Sequence, residues 1–277
     1  MLVSEVWLRE WVSPKLNTEE LADKLTMAGL EVGSIEAVGE LSDKLVVGRI
    51  EEIAEHPDAD RLRVCKVDVG RARKLTIVCG AANARQGLYT IAALVGAELP
   101  AGIIISKAAV RGVTSSGMLC SASELGLEES SSGILELAGN LLPGTPASEI
   151  LQLDDKIIDL ELTPNRGDCL SMRGVAREVA ALTGSRLKKP VKAIEMDVQA
   201  KARLPVKLTD CDGCPHYVGR IIRAVDVKAE TPLWIKERLR RAGIRSLGAC
   251  VDVTNYVMLE LGQPMHAFDL AQLDSYI

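Results

Sequence analysis

Between Asn17 and Gly29 the apolar positions Leu21, Leu25 and Ala28 recur at helical spacing and line one face. Asn17, with Glu20 three residues later, has the form of a reciprocal N-terminal cap, and Gly29 supplies the stop. Residues 1–39 are therefore predicted to form a strand, a helix and a strand. From residue 40 the period changes. Leu45–Ile53, Leu62–Val69, Lys74–Cys79, Leu88–Val95 and Ile103–Ala108 are short runs rich in β-formers, separated by turn residues. Five such runs without helical patterns between them predict a small β-barrel over 40–150, not an alternating α/β sheet. Gly112, Gly117 and Gly126 punctuate its far end.

Helical patterns then return. Ser171 caps an apolar-periodic stretch containing Val175, Val179 and Leu182, closed by Gly184. Lys188–Val191 reads as an exposed linker. Thr231–Gly243 has a Thr N-cap, Pro232 at the first helical position and Gly243 after the end. The stretch after Arg245 is apolar and turn-rich but lacks a domain-sized core, so the sequence is expected to continue in a longer protein.

Composition sharpens this picture. A chain of 277 residues suggests about two domains and permits three small ones. With 47% hydrophobic and 26% charged residues it belongs with globular proteins, not disordered or fibrous ones. Net charge is -5, which argues against nucleic-acid binding by bulk charge. Aromatics are 3%, too few for reading single strands mainly by stacking. The charge is uneven: Arg186–Arg245 holds 15 basic and 7 acidic residues, and no Lys or Arg follows. Either this marks a second surface with its own partner or it decorates a solvated helix and linker.

Glu5 and Glu10 in the first residues, without a basic leader, speak against a signal peptide. The longest largely apolar stretch, Leu88–Ala97, is too short to span a bilayer, so no membrane is expected. Seven cysteines, an odd number spread along the chain, fit reduced thiols in the cytoplasm.

Four stretches carry a specific resemblance: Thr26–Val32; His56–Gly70 with Ile77–Asn83 and Arg111–Ser121; Leu162–Ser171; and Val251–Asp269. In this order they resemble the N-terminal part of the β subunit of bacterial phenylalanyl-tRNA synthetase, over essentially all 277 residues. The barrel stretch alone resembles the OB-fold module of free-standing tRNA-binding proteins, which is the alternative reading. The resemblance implies an α+β multidomain fold: a split α/β unit over 1–39 and 151–190, an inserted OB-fold barrel over 40–150, and the start of a mixed α/β editing domain over 203–277.

The family joins phenylalanine to tRNA(Phe) with ATP and magnesium in an α2β2 assembly whose synthetic site lies on the α subunit. No Gly-rich phosphate loop with its Lys is present, so no ATP site is expected, and the resemblance implies that the family's magnesium ligands in β lie beyond residue 277; the chain should not aminoacylate alone. No DNA partner is expected. An apolar phenylalanine pocket cannot strongly reject tyrosine, which adds only a hydroxyl. The family therefore hydrolyses tyrosyl-tRNA(Phe) at an editing site on β.

By resemblance Thr254, Asn255 and His266 line that pocket, offering hydroxyl, amide and imidazole groups to position a water or the terminal ribose. Read without it, Thr254–Asn255 makes a turn and His266 is a buried structural histidine. A carboxylate that reads the tyrosine hydroxyl would lie past Ile277, leaving the chain alone inactive in editing.

Arg61, Arg63, Lys107 and Arg111 lie in or beside the matching barrel motifs and are candidate tRNA contacts, or else solvated strand-edge charges. Residues 40–150 hold 11 basic and 14 acidic residues, so any contact there is local. Arg245 is a candidate phosphate contact, although Ser246–Cys250 departs from the family pattern beside it. Asn165, Arg166 and Asp168 are expected to order a loop. Cys211, Cys214 and His216 have metal-like spacing but lack an evident fourth ligand, so a plain turn with reduced thiols is preferred and no metal is assigned.

Overall fold

The computed structural model describes residues 1–188, 203–274 and 276–277. Residues 1–36 with 156–277 form one compact unit and residues 37–155 another. The linker read at Lys188–Val191 lies outside the described residues apart from Lys188, as does the 190 boundary.

The first unit begins with β1 (Leu2–Ser4), α1 (Glu5–Trp11), α2 (Thr18–Met27) and β2 (Glu31–Ala37). Asn17 and Glu20 make the reciprocal cap expected of them, and Gly29 follows the end of α2. α1 is an addition to the strand–helix–strand expectation. Ser4 accepts from Trp7 N at 3.1 Å to start it, and Trp7, Leu8 and Trp11 turn inward. Those side chains pack with Leu21 and Leu25 of α2. Each such fully buried side chain contributes about 1.5–3 kcal/mol.

In the second unit β3 (Leu45–His56), β4 (Ala59–Asp68), β5 (Leu75–Cys79) and β6 (Tyr89–Leu94) occupy four of the five predicted runs. The fifth, Ile103–Ala108, is not a barrel strand. Ile103 and Ile104 are exposed, and local bonds such as Leu99 N to Ile103 O and Ile105 N to Ala97 O satisfy that backbone within residues 96–105.

After it come β7 (Ala108–Val110), β8 (Val113–Ser115) and β9 (Gly117–Leu119). The five-stranded order is β5-β4-β3-β6-β9, while β7 and β8 pair only with each other. Ser116 N donates to Thr76 O at 2.8 Å beside β5, so the sheet curls into a nearly closed barrel. Gly117 permits this approach: its φ is +153° and a Cβ there would lie 2.7 Å from Ala93 O. Ile50, Cys65, Val67, Ile77 and Ala92 fill the barrel core.

A short α3 (Ala147–Ile150) precedes β10 (Lys156–Glu161), which returns to the first unit between β1 and β2. A 3-10 turn, Pro164–Cys169, leads into α4 (Met172–Thr183), with Ser171 as its cap and Gly184 after it. Val175, Ala176 and Val179 of α4 complete the core of that unit. α5 (Leu233–Arg241) and α6 (Ala249–Leu261) follow.

Among the described residues from 203 onward there is no strand, so the mixed α/β start expected there is represented by helices and irregular chain. Val218, Ile222, Val225 and Val227 stand exposed, and no neighbouring ladder is formed for their backbone. No helix among the described residues is long and apolar enough to cross a membrane.

Candidate functional site

Within the barrel, Arg61 and Arg63 are exposed on β4, and Arg111 is exposed at the tip of the β7–β8 hairpin. His56 pairs with Ala59, leaving Pro57 and Asp58 as the β3–β4 turn, and the register shifts before the Glu55–Arg63 pair, so Arg61 sits in the irregular start of β4. Arg111 Nη1 reaches Asp58 O at 3.4 Å, which places Arg111 at this turn; Arg61 follows two residues after Ala59, while Arg63 is four residues on, about 13 Å by strand rise. Lys107 is exposed one residue before β7, about 13 Å of strand from the turn by strand rise. Asp58 and Asp60 are exposed among the cations, so the edge alternates in sign.

Other motif residues in the barrel are structural. Asn83 accepts from Ile134 N at 3.1 Å and donates to Ile134 O at 2.9 Å, while Arg85 grips Glu136 through two bonds of 2.6 Å. Ser115 is buried, accepts from Val78 N and donates to Gly117 O. Cys65 and Cys120 are buried, and burial pushes their thiols up to about 11 and about 12.

In the other unit Thr254 and Asn255 lie inside α6 rather than in a turn. Asp252 is buried, and Tyr256 and Leu259 pack on the core, so the helical period aims Thr254 away from it and Asn255 along its flank. Thr254 Oγ1 already donates to Val251 O at 2.7 Å. His266 is exposed in the chain after α6, its ring 6.1 Å from that of Phe268. It is therefore not a buried histidine. Among the described residues no hydrogen bond or ring contact joins His266 to Thr254 or Asn255.

Arg245 is exposed between the helices. Open grooves of about 410 and 770 Å³ lie elsewhere, around Lys15 and Arg186 and around Lys44 and Glu149, and none of the eight candidate residues lines either.

Two features escaped the sequence reading. Asp252 is fully buried and accepts from Thr231 Oγ1, from Ser246 Oγ at 2.6 Å and from Leu247 N at 2.8 Å. Burial raises its carboxyl pKa, but the bonds from Ser246, Thr231 and Leu247 outweigh that and hold it below the usual range. Thr231 is thus a donor to this carboxylate, not the cap of α5, which carries Pro232 at that place.

The second feature is Arg238. Its guanidinium carbon lies 5.0, 5.4 and 5.9 Å from the rings of Trp7, Trp234 and Tyr256, and it pairs with Glu10. Trp7 and Tyr256 stack at 5.4 Å. This clasp fixes α5 and α6 against α1.

Arg166 bonds Asp168 at 3.1 Å and Glu178 at 3.0 Å and touches Cys169 Sγ, ordering the loop before α4. Asp168, Cys169 and Glu178 are the grouping of potential metal ligands among the described residues, and the guanidinium already occupies it. Cys211, Cys214 and His216 are each exposed.

Comparison with known proteins adds lineage to this geometry. The "Putative tRNA binding domain" model matches residues 45–146, and the B3/4 domain model matches residues 213–277. Phenylalanine--tRNA ligase beta subunits from Nitrosococcus oceani and Aliivibrio fischeri are 54% and 52% identical over 99% and 100% of this chain. The chain is a homologue of phenylalanine--tRNA ligase beta subunits.

It spans about a third of the length of these relatives, 34% and 35% respectively. The tRNA-binding-domain match begins and ends within the barrel unit, and the B3/4 match contains α5, α6 and all four candidates after residue 240. Among solved structures, the C-terminal domain of Plasmodium vivax p43 matches 38% of this chain and 57% of that one at 25% identity, with a TM-score of 0.28.

Proposed function

We propose that this chain is the part of a phenylalanine–tRNA ligase β subunit that holds tRNA(Phe) and begins the site for hydrolysing tyrosyl-tRNA(Phe). It would act in a cytoplasmic α2β2 assembly with the α subunit. The carrying observation is identity above 50% along the whole chain to such subunits, across both matched domains. A free-standing tRNA-binding barrel would account for residues 45–146 but not for the match over 213–277.

In this reading the barrel binds backbone phosphates. Arg61, Arg63 and Arg111 present exposed guanidinium groups, Arg111 held at the turn by Asp58 O, which suits phosphate oxygens and carries little base information. The near balance of charge in the barrel confines attraction to that edge.

For editing, the tyrosyl ester carbonyl must meet an oriented water. Thr254 Oγ1 spends its proton on Val251 O, so it serves as an acceptor for a water or ribose hydroxyl. Asn255 supplies both a donor and an acceptor, and the exposed imidazole of His266 can take a proton or hold the ribose. ATP and magnesium would serve the synthetic site of the whole enzyme. The Asp168 grouping, filled by Arg166, does not fit a metal, and no step is assigned to one in this chain.

The test is tyrosyl-tRNA(Phe) hydrolysis by an α2β2 enzyme carrying this chain. Thr254→Ala and His266→Ala should each slow release of tyrosine about 10²-fold or more while phenylalanine attachment persists. Unchanged hydrolysis in both variants contradicts the site assignment.

A further inference from the structure

We propose that His56 is a positioning residue for tRNA binding: its neutral ring bolts the β7–β8 hairpin to the β3–β4 turn and thereby sets where Arg111 meets the RNA backbone. The inference rests on the reading of the barrel as a tRNA-binding module.

His56 is 5% exposed and ends β3. Asp58 N donates to its Nδ1 at 3.1 Å. A backbone amide can only donate, so Nδ1 carries the lone pair and the ring proton sits on Nε2. That Nε2–H donates to Val110 O at 3.0 Å. The two ring nitrogens thus join one turn to the residue immediately before Arg111.

β7 and β8 pair with each other and are not laddered to the five-stranded sheet; the base of the hairpin is tied to β5 by Val78 N to Ser115 Oγ and Ser116 N to Thr76 O, and His56 adds the hold on its tip. A two-stranded hairpin is marginal by itself, so bonds to its surroundings decide its position. Its two-residue turn has Arg111 at φ +45° and Gly112 at φ +86°, the left-handed pair that a type I′ turn requires. Glycine adopts this conformation freely, whereas arginine does so at a cost. A strained residue with an exposed guanidinium, held by a buried histidine and by its own bond to Asp58 O, is arranged for contact. Being buried, His56 does not touch the RNA; it acts through Arg111.

Two substitutions separate this role from simple folding. In His56→Asn the side-chain oxygen can still accept from Asp58 N as an Asx turn but cannot reach Val110. In His56→Gln the amide extends far enough to donate to Val110 O. With tRNA(Phe) as the probe and the whole chain as the protein, His56→Gln should bind like wild type. His56→Asn should lose about tenfold in affinity. It should also lower the slope of log K against log salt by about 0.7–0.9, the signature of one lost phosphate contact. Arg111→Ala should do the same, and the double variant His56→Asn/Arg111→Ala should be no weaker than either. Nitrogen NMR should find the His56 ring protonated at Nε2.

A wild-type salt slope in His56→Asn, losses that add in the double variant, or a ring protonated at Nδ1 would overturn the proposal. If Arg111→Ala binds as wild type does, the barrel contact itself is wrong and the positioning role falls with it.

Discussion

Asp252 shows how a single residue can be decisive yet hard to read from sequence. Three donors from Thr231, Ser246 and Leu247 converge on one buried carboxylate. In the sequence Thr231 before Pro232 has the form of a helix cap, because local spacing reveals nothing about a partner 21 residues away. Asp252→Asn replaces an acceptor by an amide that faces donors, and should lower stability by about 1–3 kcal/mol in urea unfolding. The pH dependence has a definite sign. The folded carboxyl sits below its unfolded value of about 3.9, so its stabilisation is present above about pH 4 and lost as pH falls through the folded value. Acid unfolding of α5 and α6 should therefore be less steep in the Asn variant than in wild type; equal profiles would contradict this account.

Among the elements, legibility follows the range of the forces involved. α2 and α4 could be read because cap, apolar stripe and terminal glycine all lie within one local segment. α6 could not: Val251, Val253, Thr254 and Val257 are β-branched and poor helix formers, and the helix is decided by the packing of Tyr256 and Leu259 on the core. Likewise Ile103–Ala108 has strand composition, but its backbone finds partners locally and the barrel takes β9 as its fifth strand. The Arg238 clasp belongs to this scale, since it joins α1, α5 and α6. Arg238→Ala removes contacts with three rings and the bond to Glu10, and hydrogen exchange in α5 and α6 should quicken by about tenfold or more while the barrel is unaffected. Arg238→Lys should restore only part, because an ammonium cannot stack as a planar guanidinium does. Unchanged exchange in both variants would show that the clasp is not what holds these helices.

For the molecule as a whole, sequence motifs pointed to a synthetase β subunit, and homologues along the full chain agree. The geometry adds a distinction that residue types could not supply. Arg111 is bonded to the β3–β4 turn that Arg61 follows, whereas Thr254 and Asn255 are on a helix with His266 outside it. Phosphate binding by the barrel is therefore the part of the proposed function that this chain can test alone, despite its net charge of -5. The direct measurement is tRNA(Phe) affinity of the chain across a salt series, for wild type and for the variant with Arg61, Arg63, Lys107 and Arg111 all changed to Ala. The account predicts a linear fall of log K with log salt whose slope drops by about 3 in the variant. Binding absent in wild type, or a slope the four substitutions leave unchanged, would contradict it.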